Sequence, residues 1–440
     1  MARFGIGFMK VFKSTLNNGL RVIIIPMPSV LSATATVWAG VGSSHEPRSK
    51  AGIAHFFEHI VFKGSVKRPS AKAISEAVDN FGGEQNAFTG KEMTGFYIKA
   101  PAERLGDAVD ILSDMVLNPL IPVAEVKREK GVIKAELDMY RDTPVRHIFD
   151  IYEEEVFAGT PLQYDVIGSK KTIDKITRED FLDYKNKFYQ PQNMLVTVAG
   201  GVDVEQVKKL VARHWKLDVK NKTSKNQKSN AYGLTSKYPR VRVEFKKTDQ
   251  AHMILGFRGI GIKDKKMRFS EEVLRAILGG GMSSRMFEKV RERRGLAYAV
   301  KTANNNYTHT GSFQTYAGVE PQKAFDALKI ILAEYKKMTD KKTAKISESE
   351  LTKAKEYLKG HLALSLEDTS EVGEIFGVEE LLLEEIMTPE QMIKAIDKVT
   401  IDDVISVAKH HFNAERMAFT VIGPYKNSDR KVFEKLVNTY

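Results

Sequence analysis

In HFFEH, residues 55–59, two histidines stand four residues apart with a glutamate directly before the second. The surrounding AGIAHFFEHIVFKG (51–64) predicts a short helix ending near Gly64. At 3.6 residues per turn, His55 and His59 then sit one turn apart on one face, with Glu58 on the same side. Two imidazoles so placed can chelate one ion. Zinc suits them, because it accepts two imidazoles and a carboxylate and keeps a fourth position for water. A carboxylate beside that water acts as a general base. Phe56, Phe57, Ile60 and Val61 are expected to anchor the rest of the helix in a core. The order H-x-x-E-H inverts the common H-E-x-x-H arrangement of zinc proteases.

Such a site needs a third donor from elsewhere. The chain contains no cysteine, which excludes disulfides, a thiol nucleophile and thiolate ligands, so the donor must be histidine or carboxylate. VAEVKREKGVIKAELDMY (123–140), following Pro122, reads as a helix. Its Glu129 and Glu136 are seven apart, two turns along one face. One would ligate, and the other would hold a ligand or contact the water.

HFFEH, followed by Glu129 and Glu136, resembles the pitrilysin or insulinase family of inverted-motif zinc peptidases. The resemblance is to its half-length branch, which includes the mitochondrial processing peptidase and prokaryotic relatives. It implies His55, His59 and Glu136 as zinc ligands, Glu58 as the general base and Glu129 as a supporting glutamate. GGEQNAFTGKEMTGFY (82–97) is similar to the family's segment after the metal helix, which implies that Asn86, Ala87 and Phe88 lie on an edge strand pairing with substrate backbone. RERRGLAY (291–298) is similar to its Arg–Tyr pair, implying substrate contacts by Arg291 and Tyr298. A guanidinium and a phenol are suitable donors to a carbonyl or developing oxyanion. Without the resemblance, the same stretch reads as a helix end capped by Gly295. The implied function is a zinc-dependent endopeptidase hydrolysing unstructured peptides in a dimeric chamber. The Arg–Tyr pair would come from the partner of a homodimer, or of a heterodimer with a related subunit. The alternative is a non-catalytic or partner-dependent scaffold subunit of the same fold.

The elements that must position these residues recur. ITREDFLDYKNKFYQPQNMLVTVAG (176–200) aligns with VTIDDVISVAKHHFNAERMAFTVIG (399–423), each reading as a Thr N-cap, an amphipathic helix and a strand ending in Gly. TGFYIKAPAERLGDAVDIL (94–112) resembles TGSFQTYAGVEPQKAFDALKII (310–331). The expected class is α+β, with two duplicated domains, each an antiparallel sheet packed with helices. The polar stretch 219–237 reads as a linker between a zinc-bearing domain (1–218) and a homologous domain (238–440). The second copy lacks the ligand set: EVLRA (272–276) stands near the metal helix position, and Ala354 and His361 stand opposite Glu129 and Glu136. One Zn²⁺ per chain is therefore expected.

The net charge of +12 raises the question of nucleic acid. Lys and Arg are dispersed and no nucleic-acid-binding motif is present, so no nucleic-acid partner is expected. No apolar run approaches the length of a membrane span. The N-terminus has neither a secretory h-region nor a transit-peptide pattern, so a prokaryotic cytoplasmic location is expected, with Met1 or Met9 as the start.

Overall fold

The computed structural model describes residues 9–216 and 240–440; the expected linker at 219–237 lies outside the described residues. The chain divides into two compact units. The first comprises Met1–Leu137, Tyr164–Lys228 and Leu362–Gln391, and the second Asp138–Gln163, Ser229–His361 and Met392–Tyr440.

The first unit holds a six-stranded sheet: β1 (Phe12–Thr15), β2 (Arg21–Pro26), β3 (Ser32–Ala39), β4 (Glu84–Thr89), β5 (Thr94–Pro101) and β6 (Met194–Gly200), in the order β1-β2-β6-β3-β5-β4. The second holds β7 (Arg240–Phe245), β8 (Ala251–Gly259), β9 (Ala297–Asn306), β10 (Gly311–Val319) and β11 (Met417–Gly423), in the order β7-β11-β8-β10-β9. Without β1, the two orders are the same, so the duplicated α+β reading holds at the level of topology. Pairing is antiparallel except at β2–β6 and β7–β11, one parallel pair in each sheet. Such a pair needs a long crossover, and the helical segments between its strands provide it.

The repeated segments fold alike. Thr177 caps the helix Arg178–Phe188 and Thr400 caps Ile401–His411, each in a reciprocal capping box with an aspartate three residues on. Each helix leads into a strand ending in glycine, β6 or β11.

Val22–Ile25 of β2 are all buried, as expected of a strand covered on both faces. The covering elements explain why the compact units are interleaved and do not follow contiguous halves of the chain. Helix Thr369–Val378, from late in the sequence, covers one face of the first sheet. There Thr34 and Thr369 hydroxyls pair at 2.7 Å, and the Trp38 indole donates to Thr197 at 2.9 Å. Gly377 lets the helix lie close, since a Cβ there would stand 2.5 Å from the Trp38 ring. Helix Pro144–Val156, from early in the sequence, covers one face of the second sheet with Ile148, Ile151, Tyr152 and Val156 against Ile254, Ala418 and Ile422. Alternate residues of β8, Met253, Leu255 and Phe257, point to the other core.

Charges fasten this second helix. Tyr307 donates to Glu153 at 3.0 Å, Arg242 pairs with Glu154, and Arg240 with Glu155 at 3.0 Å. His147 lies between Asp150 (3.6 Å) and Glu244 (3.1 Å). Interaction with Asp150, then with Glu244, holds its pKa up at about 9, against an ordinary 6.5. A raised folded-state pKa means the protonated form binds these acids better in the native protein. The stabilisation is complete below about pH 6.5 and is lost as pH rises through about 9. The thermal midpoint is therefore expected to fall across that window, and His147→Gln should remove that component; an unchanged slope in the variant would contradict the assignment.

Candidate metal centre

The helix Ile53–Val61 starts at Gly52, whose φ of +95° suits glycine and where a Cβ would collide with the Ile167 carbonyl. Both oxygens of Glu46 accept backbone N–H groups at this start, from Gly52 and Ala54, each at 2.7 Å. Phe56, Phe57, Ile60 and Val61 are fully buried. The Phe56 and Phe57 rings pack edge-on or tilted against Phe181 (4.8 Å) and Tyr189 (4.8 Å), respectively. The apolar face thus fixes the rotation of the helix and turns His55, Glu58 and His59 to its other side.

The glutamates come from the helix Val123–Asp142. Glu136 lies 3.7 Å from His55 Nε2 and 3.5 Å from His59 Nε2 without a hydrogen bond to either. The donor atoms of His55, His59 and Glu136 all lie within 4.8 Å of one another, the one such group of three among the described residues. The carboxylate–imidazole spacings are close to the roughly 3.3 Å edge of a tetrahedron with bonds of about 2.0–2.1 Å. Glu129 is buried, and its Oε1 accepts a hydrogen bond from His59 Nδ1–H at 2.9 Å. That bond leaves the lone pair of His59 on Nε2, facing Glu136. The donor set therefore fits a divalent ion such as zinc.

Burial, then repulsion from His59, lowers the His55 pKa to about 3. Its ring is thus neutral and able to donate a lone pair. Burial acts to raise the Glu129 carboxyl, but hydrogen bonds from His59 and Lys63 outweigh it, and its pKa is lowered. Burial raises the pKa of Glu58, opposed by a 2.5 Å hydrogen bond from Thr89. Thr89 is the last residue of β4, so the strand end and the carboxylate are tied together.

Asn86, Ala87 and Phe88 lie on β4, which is the edge of its sheet. The Asn86 side chain accepts the Ala87 N–H at 2.8 Å. The Phe88 ring turns inward, 5.4 Å from Trp38, so only its backbone is available at the edge. Arg291 and Tyr298 belong to the second unit. Arg291 sits in a π-helical turn (Phe287–Glu292) with its guanidinium over Phe287. Tyr298 is 56% exposed on edge strand β9, and its hydroxyl donates to Glu320 at 3.1 Å. Gly295 takes a φ of +56° after this turn, and its N–H bonds back to Arg291.

Three participants were not singled out by the sequence reading. Lys63 holds the second oxygen of Glu129 at 2.9 Å, Thr89 holds Glu58, and Glu46 caps the metal helix. Lys63 had a readable signal, four residues after His59 in a stretch that reads as helix to near Gly64, although the helix itself ends at Val61. Thr89 had none, because its position depends on sheet topology.

The chain is similar to known proteins. Residues 21–170 match the family described as insulinase (peptidase family M16), and residues 175–358 match the peptidase M16 inactive domain. An uncharacterized zinc protease of Streptomyces coelicolor is 36% identical over 96% of this chain and 91% of its own length. One from Bacillus subtilis is 33% identical over 94% of this chain and 98% of its own. A solved protease from Helicobacter pylori has the same fold, with a TM-score of 0.86 at 24% identity, over 95% of this chain and 100% of that one. On full-length identity and matched domains, the chain belongs to the insulinase family of M16 peptidases, in its half-length form.

Proposed function

We propose that the chain is a zinc-dependent endopeptidase acting on unstructured peptides as a homodimer, with one zinc per chain. The observation that carries this reading is the convergence of His55, His59 and Glu136 beside Glu58, which is tied to an open strand edge. The zinc protease names of its bacterial relatives support it, as does the inactive label on the matched second domain. Among the described residues no helix is long and apolar enough to cross a membrane. A prokaryotic cytoplasmic setting is part of the proposal.

His55, His59 and Glu136 would hold the ion. Bound there, zinc supplies Lewis acidity, polarising the scissile carbonyl and lowering the pKa of water to about 7. Glu58 takes the proton of the attacking water and passes it to the departing amine. Its raised pKa makes it a stronger base than an exposed carboxylate, and Thr89 keeps it aimed. Glu129 fixes the His59 tautomer, and Lys63 balances the charge of Glu129. The backbone of Asn86, Ala87 and Phe88 adds the substrate as a further strand, which selects extended chains regardless of sequence. Arg291 and Tyr298 of a second copy donate to the substrate carbonyl as negative charge develops.

The test mixes two variants. Glu58→Gln and Arg291→Ala chains should each be nearly inactive on an unstructured fluorogenic peptide, and a folded protein should resist the wild type. Mixed and allowed to exchange, they should regain activity through dimers holding one intact site. A zinc-loaded wild type that cleaves no peptide would overturn the peptidase reading. A mixed dimer that stays inactive would overturn the shared site alone.

A further inference from the structure

The second unit contains a cavity of about 400 Å³ that the peptidase reading does not use. It is lined by Arg258, Lys263, Asp264, His309, His410 and Arg416, with backbone from Gly259 to Gly261. These come from separate stretches: the end of β8 and the loop after it, the β9–β10 turn, the last turn of helix Ile401–His411, and the turn before β11. Three of the charged side chains are cations and one is an acid. That acid, Asp264, is engaged in accepting the Met267 backbone N–H at 3.1 Å.

Arg416 is half-buried. Among the described residues its guanidinium makes one hydrogen bond, from Nη1 to His410 Nε2 at 3.0 Å, and no ion pair. Because a guanidinium only donates, His410 must be the acceptor and neutral. Arg416 thus keeps most of its five N–H donors for another partner. Lys263 is exposed at the rim and also makes no ion pair among the described residues. Burial, then the charge of Arg258, lowers the pKa of Arg416. Burial, then Arg416, does the same to His410, and burial, then Lys263, to His309. Positive charge is crowded here, and an anion would relieve it. A cation at the end of helix Ile401–His411 is favoured by the helix dipole. That accounts for Arg416 or His410 alone, but not for Lys263 and Arg258 facing the same space from other segments.

We propose that this cavity binds a phosphate group, with Arg416 and Lys263 pairing its oxygens. Two cations suit a dianion better than a carboxylate, and a guanidinium matches phosphate through two parallel hydrogen bonds. A phosphate displaces only a few waters of about 30 Å³ each, so the cavity has room for the rest of a small phosphorylated molecule.

The test is calorimetric titration of the zinc-loaded protein with inorganic phosphate, glycerol 3-phosphate and acetate at fixed ionic strength. Both phosphates should bind at one site per chain, and acetate should not. Arg416→Met and, separately, Lys263→Ala should each weaken phosphate binding by roughly tenfold, the loss of one charge-assisted pair. Lys263 is exposed, so its substitution should leave the fold intact, and the thermal midpoint without phosphate checks Arg416→Met. The absence of saturable binding, equal affinity in wild type and both variants, or acetate binding as tightly as phosphate would overturn the proposal.

Discussion

Glu58→Gln is expected to lower kcat by roughly 10³-fold while leaving zinc bound and KM little changed. The amide has the shape of the carboxylate and still accepts the Thr89 hydrogen bond, so the position of the side chain persists. What it loses is the ability to take a proton, and a positioned base contributes roughly 10²–10⁴-fold. The ligands His55, His59 and Glu136 are untouched, and so is the β4 edge that would bind substrate. Kinetics paired with metal analysis separate this from misfolding. A Gln variant that retained most of its activity would place the base elsewhere.

Replacing Glu136 by Ala is expected to cost more zinc affinity than replacing Glu129 by Gln. The two glutamates look interchangeable in sequence, yet their surroundings differ. Glu136 is one-fifth exposed and faces both Nε2 atoms without a hydrogen bond to them. Glu129 is buried between His59 Nδ1 and Lys63. Loss of a group that orients a ligand typically weakens metal binding 10–100-fold. Loss of Glu136 removes a ligand and its charge, leaves two imidazoles, and should exceed that range. Competition against a chromogenic chelator measures both variants. A reversed order would exchange the roles of the two residues.

What could be read from the sequence was local. His55 and His59 at helical spacing, Glu129 and Glu136 two turns apart, and the capping threonines at 177 and 400 all follow from the period of one helix. The duplication was legible because each copy preserves its pattern of cap, helix and strand. Less legible was anything depending on which surface an element covers. Helices Pro144–Val156 and Thr369–Val378 are amphipathic, but an apolar stripe does not specify its sheet, so their exchange between the units had no sequence signature. The parallel pairs β2–β6 and β7–β11 were missed because strand order is set by long crossovers. The side chains around the phosphate cavity are separated by up to 158 positions, from Arg258 to Arg416, and only the fold brings them together.

The most direct test of the central claim is a zinc titration of metal-stripped protein, followed by the rate of cleavage of an unstructured peptide. Activity should be absent at the start, rise in proportion to added zinc and level off at one equivalent per chain. Cleavage by the stripped protein, or no cleavage after one zinc has bound at His55, His59 and Glu136, would contradict the account.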